Sequence, residues 1–135
     1  MTREEYAKRM KKHPDWAPGW DAIDAAFAKL YPEAEPVRFE SELHDRAALG
    51  GEEYLDSFAV YDTGKGYQHI VTYGLSELYP SMAGLGSEYS KWGYELTLKV
   101  RESYAETGTW ALDLLARYTF QTGNYFEPGA YIPGD

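Results

Sequence analysis

The 135-residue sequence predicts an α+β fold: a mostly antiparallel or mixed β-sheet with helices packed on it. Three observations carry this. Two segments of helical periodicity come first, segments of alternating polarity fill the middle, and one more helical segment follows, an order that segregates helices from strands. Two of the middle segments are joined by a short turn containing two glycines, so that pair must be antiparallel. The elements add up to one core, and residues 1–135 read as a single domain.

The first helix is predicted over Thr2 to Lys12. Thr2 and Glu5 have the spacing of a capping box, and Tyr6 and Met10 give a thin apolar stripe one turn apart. His13-Pro14 ends it, because a residue before proline avoids the helical region. Trp16 to Gly19 reads as a turn. A second helix is expected from about Trp20 to Tyr31, with Trp20, Ile23, Phe27, Leu30 and Tyr31 on one face and Pro32 as the stop.

Val37, Phe39, Ser41 and Leu43 alternate with Arg38, Glu40, Glu42 and His44, the period of a strand with one wet face. Leu49-Gly50-Gly51 breaks the chain. Ser57 to Tyr61 and Tyr67 to Leu75 are expected to form a hairpin around Asp62 to Gly66, where glycines permit positive φ. Ser76 to Ser90 is a long irregular stretch. Trp92 to Arg101 alternates most cleanly and predicts a long strand. A last helix is expected from Thr107–Thr109 to about Thr122, with Trp110, Leu114, Leu115 and Tyr118 on one side. Gly123 suits the left-handed helix end.

Composition narrows the function. Twenty-two acids against thirteen bases give a net charge of −9, which repels phosphate backbones and anionic membranes, so neither nucleic acid nor membrane is an expected partner. The absence of cysteine excludes disulfides, zinc–thiolate sites and thiol nucleophiles. The charged start offers no apolar stretch for a secretory signal, which makes the cytoplasm the expected location. The aromatic share of 16 % favours contact surfaces, since tyrosine carries an apolar ring and a polar tip.

Catalytic patterns are missing. No two of His13, His44 and His69 lie within a helical turn of each other, so no helical zinc motif is present. Ser76 is not in a Gly-x-Ser-x-Gly elbow, and no Gly-rich phosphate loop occurs. The expectation is therefore no catalytic residue, no metal and no cofactor. His69 shares its face with Tyr67, Val71 and Tyr73 and reads as a structural histidine.

Five segments, in order, resemble the Suppressor of fused (SUFU) family. They are Pro18 to Ile23 with Leu30-Tyr31-Pro32; Leu49-Gly50-Gly51 with Leu55, Asp56 and Tyr61; His69 to Tyr79; Gly93 to Lys99; and Ala116 to Gln121 with Asn124, Phe126 and Gly129. The resemblance implies a non-enzymatic binding scaffold. The animal family member clasps a short extended peptide between two domains, partly as an added strand. Its tyrosine contact corresponds to Tyr118. Its acidic contact falls at Ala130, with Tyr131 following, so this sequence lacks that acid. The implied partner-binding residues are Tyr118, Phe126, Ala130 and Tyr131. The resemblance further implies a bacterial, single-domain relative that stops short of the family's C-terminal part.

The expected function is protein or peptide binding, of the kind an immunity or antitoxin-like protein uses to neutralise a toxin. A homodimer is a further expectation, through apolar surface left uncovered by the short C-terminus. The competing expectation is a small carboxylate-dependent hydrolase, which requires a pocket with two convergent carboxylates or a carboxylate–histidine pair.

Overall fold

The computed structural model describes residues 1–41, 55–87, 90–124, 126, 127 and 129. Its elements are α1 (Arg3–Lys12), α2 (Pro18–Leu30), β1 (Val37–Glu40), β2 (Ser57–Asp62), β3 (Gln68–Tyr73), β4 (Thr97–Val100), a 3-10 turn (Glu102–Tyr104) and α3 (Ala105–Thr122). The four strands make one fully antiparallel sheet in the order β1-β2-β3-β4. The expected α+β class holds.

Side-chain alternation gives this sheet two apolar faces. Phe58, Val60 and Ile70 point to one side and pack with Leu112 and Ala116 of α3. Ala59, Tyr61, Val71 and Tyr73 point to the other and pack with Phe27 of α2, flanked by Trp20, Ile23 and Tyr31. The central pair β2–β3 is therefore buried on both faces, which explains why its sequence is apolar at successive positions rather than strictly alternating. At the β2–β3 turn, Gly64 and Gly66 adopt φ of 73° and 88°, as predicted. The Gly64 N–H donates to the Asp62 carboxylate at 2.9 Å.

Helix α1 carries the predicted capping box: the Glu5 N–H donates to Thr2 Oγ1 and the Thr2 N–H to Glu5 Oε2. Helix α2 starts two residues earlier than expected. Pro18 occupies its first turn, where a missing N–H costs nothing and φ is already suitable. Gly19 then lies directly on the chain at Glu77 and Leu78, donating its N–H to the Leu78 carbonyl at 3.1 Å. A Cβ at Gly19 would overlap the Glu77 carbonyl oxygen.

One expectation fails. The long strand over Trp92 to Arg101 contracts to Thr97–Val100. Lys91 and Gly93 take left-handed backbone (φ 57° and 83°), which interrupts extended pairing, and the side chain of Glu95 replaces strand partners further on. The last helix forms as expected, and of the stripe Trp110, Leu114, Leu115 and Tyr118 only Leu115 packs against the core. Gly108, Leu112, Asp113, Ala116 and Thr119 are its buried residues, while Trp110, Leu114 and Tyr118 are 57 %, 41 % and 40 % exposed. Three contacts set that rotation. The bare backbone of Gly108 sits against Ile70, Ser41 Oγ donates to both Asp113 carboxylate oxygens at 2.7 and 2.8 Å, and Thr119 shares a 2.9 Å hydrogen bond with the Tyr94 hydroxyl. The second half of the first predicted strand, Leu43 and His44, and the Leu49-Gly50-Gly51 break lie outside the described residues.

Candidate functional site: an aromatic face and its carboxylate clasp

The end of α3 and the chain beyond it build an aromatic surface. Gly123, at φ 73°, closes the helix in a left-handed cap and sends the chain back along it. Phe126 lands against Tyr118, with ring centroids 5.5 Å apart, and meets Tyr94 edge-on at 6.4 Å. Two of the expected partner contacts, Tyr118 and Phe126, are thus brought together. Ala130 and Tyr131 lie outside the described residues.

Sequence reasoning missed the continuation of this surface. Leu114 and Trp110 stand four and eight residues before Tyr118, on the same outward ridge of the helix. The periodicity signalled an apolar stripe correctly but could not say that a second stripe, Gly108, Leu112 and Ala116, takes the core. The small side chains in that second stripe were the usable clue, because only small residues let a helix approach a sheet closely.

Tyr94 is held from below by its neighbour. The Glu95 carboxylate accepts hydrogen bonds from the backbone N–H groups of Gly74, Leu75 and Ser76 at 2.8–3.2 Å, and from the Ser76 hydroxyl at 2.9 Å. Thr72 Oγ1 adds a donor at 3.1 Å. Burial pushes the carboxyl above its ordinary value; the N–H and hydroxyl donors pull it back, and burial prevails. Lys91 reinforces the clasp, donating to the Gly74 carbonyl at 2.8 Å while lying 5.2 Å from the Phe120 ring.

Beside the clasp lies a hollow of about 350 Å³ lined by Asp56, Ser76, Glu77, Tyr79, Ser81 and Lys91, among others. Tyr79 donates its hydroxyl to Asp56 Oδ2 at 2.8 Å. On the opposite sheet face, His69 is buried, with Nδ1 2.8 Å from the Tyr31 hydroxyl and its ring edge-on to Phe27. Burial, then the charge of Lys99, holds its pKa below the usual imidazole value. The structural role expected for His69 is what the geometry gives. Among the described residues no group of three His, Asp or Glu side chains is arranged to hold a metal ion. No helix among them is long and apolar enough to cross a membrane.

A four-stranded antiparallel sheet with helices packed on both faces defines an α+β fold. The sequence profile of the Suppressor of fused protein (SUFU) family matches residues 51–135, and the chain belongs to that family. It is a protein-interaction module of the SUFU type. No curated protein sequence matches the chain. The match spans the clasp, and it joins two of the segments that carry the resemblance: Glu95, from Gly93 to Lys99, grips Gly74 to Ser76, from His69 to Tyr79.

Proposed function

We propose that this protein binds another polypeptide through the outer face of α3 and transforms nothing. The observation that carries this reading is the exposed ridge Trp110, Leu114 and Tyr118, extended by Phe126. Tryptophan and tyrosine presented on a rigid helix are the residues that dominate binding energy when a partner desolvates them. Ala130 and Tyr131, which follow Phe126 in sequence, complete the proposed contact set. The net charge of −9 favours a basic partner, and an immunity or antitoxin-like role in the cytoplasm, neutralising a toxin domain, fits both features. Self-association as a homodimer, through exposed apolar surface, is a separate proposal.

The test is a binding titration against candidate toxin domains encoded beside this gene. Trp110→Ala and Tyr118→Ala are expected to weaken affinity at least tenfold each, the loss of about 1.4 kcal/mol or more typical of a hot spot. Unchanged affinity in both variants would refute the assignment of this face. A hydrolase is the second reading, and the hollow bearing Asp56 and Glu77 is its specific support. Turnover of any substrate that disappears in Asp56→Asn or Glu77→Gln would establish it instead.

A further inference from the structure

The hollow beside the Glu95 clasp holds charges of both signs that do not pair with one another. Asp56, Glu77 and Lys91 all line it, and Leu78, Tyr79 and Pro80 add an apolar wall. Among the described residues none of the three charges lies within ion-pair distance of an opposite charge. The hollow therefore keeps a cation and two carboxylates apart.

Its walls are fixed before anything binds. The Tyr79 hydroxyl donates to Asp56 Oδ2 at 2.8 Å, and the Asp56 N–H donates to the Tyr73 carbonyl at 2.8 Å. The Glu77 N–H donates to Ser90 Oγ at 2.9 Å, and Gly84 leaves space for the Glu77 carboxylate, which a Cβ there would overlap. The Leu78 carbonyl accepts from the Gly19 N–H of α2, and the Ser81 N–H donates to the Tyr6 hydroxyl of α1. Lys91 Nζ donates to the Gly74 carbonyl at 2.8 Å. Its backbone is left-handed, at φ 57°, a conformation that a side chain disfavours and that no other non-glycine residue adopts among the described residues. Groups held in place in advance lose little freedom when a ligand arrives.

A ligand with a single charge would gain at one part of this rim and lose at another. An amine meets Lys91, and a carboxylate meets Asp56 and Glu77. A molecule that carries both charges close together meets an opposite charge with each. The volume of about 350 Å³ lies near the lower end of the range for small-molecule sites, roughly 300–1,000 Å³.

We propose that this hollow binds a free α-amino acid with an apolar side chain. Its carboxylate lies on Lys91, its ammonium on Asp56 and Glu77, and its side chain against Leu78, Tyr79 and Pro80. The net charge of −9 does not oppose such a ligand, because a zwitterion is neutral overall. No residue of the α3 ridge lines the hollow, so the site is separate from the partner-binding face.

Chemical-shift titration of the full chain tests this with three probes: L-leucine, isopentylamine, which is leucine without its carboxylate, and isocaproate, which is leucine without its ammonium. L-leucine is expected to bind with a Kd of about 1 mM or tighter, and each analogue at least about tenfold more weakly. Two variants give a crossed pattern that loss of folding does not produce. Lys91→Gly, which suits the left-handed backbone, weakens leucine about tenfold and binds isopentylamine no more weakly than the native chain does. The double variant Asp56→Asn/Glu77→Gln weakens leucine by a similar factor and binds isocaproate no more weakly than the native chain does. Trp110→Ala leaves leucine binding unchanged. Absence of leucine binding overturns the proposal. Equal affinity for the three probes, or a leucine affinity that survives either variant, overturns it as well.

Discussion

Glu95 links two stretches of chain twenty residues apart without forming a strand between them. Its carboxylate takes three backbone N–H groups and one hydroxyl that would otherwise be buried without acceptors. Glu95→Gln keeps the shape but sets an amide NH₂ against some of those donors. Each donor left unsatisfied costs about 1–3 kcal/mol, so a loss of about 2 kcal/mol in urea unfolding is expected. Because burial raises this carboxyl, the folded state binds its proton more tightly than the unfolded chain. The associated stability is complete below about pH 4.3 and is lost as pH rises through the raised folded value. The stability gap between native protein and Glu95→Gln should therefore narrow over that window. His69 has the opposite sign. Its lowered pKa gives stability that is present above about pH 6.5 and is lost as pH falls through the folded value, so His69→Gln should flatten the acid limb of the stability profile. At Gly19 the obstacle is backbone on a facing segment, which cannot rotate away. Gly19→Ala should cost at least about 2 kcal/mol, the upper part of the range for overpacking.

Among elements, α3 shows how far the sequence reached and where it stopped. Its existence, its length to Thr122 and its Gly123 cap follow from periodicity and from glycine's tolerance of left-handed backbone. Its rotation does not follow, because two apolar stripes compete and the choice is made by tertiary contacts at Gly108, Asp113 and Thr119. The same holds at β4. The alternation from Trp92 to Arg101 is real, but pairing requires a free partner strand, and beyond Tyr73 the partner's N–H groups are taken by a side chain. The β2–β3 hairpin was fully legible, since its turn chemistry is local. Of the contact residues, Tyr118 and Phe126 follow from the resemblance, whereas Trp110 and Leu114 show in the sequence only as part of an apolar stripe, which does not say that they face outward. Gly108→Ala weighs two effects directly. Alanine gains about 1 kcal/mol in a helix interior, while its Cβ would stand 2.6 Å from the buried Ile70 Cδ1. Overpacking costs about 1–3 kcal/mol, so a net loss of about 1 kcal/mol is expected from thermal or urea unfolding. Substituting Leu114 on the outer ridge should change stability by less than about 0.5 kcal/mol, because no core contact is lost there.

At the scale of the whole molecule, both sheet faces are closed by helices, and apolar character reappears outside at the α3 ridge and the β1 edge. Membership of the SUFU family and an acidic surface both suit a protein that acts by contact. Site-specific photo-crosslinking in native cells tests this most directly, with a photoreactive phenylalanine placed in turn at Trp110, Leu114 and Tyr118 on α3 and at Asp21 on the outer side of α2. A single, common polypeptide crosslinked from the three α3 positions and absent from position 21 is the predicted result. Equal crosslinking from both helices, or none from α3, would contradict it.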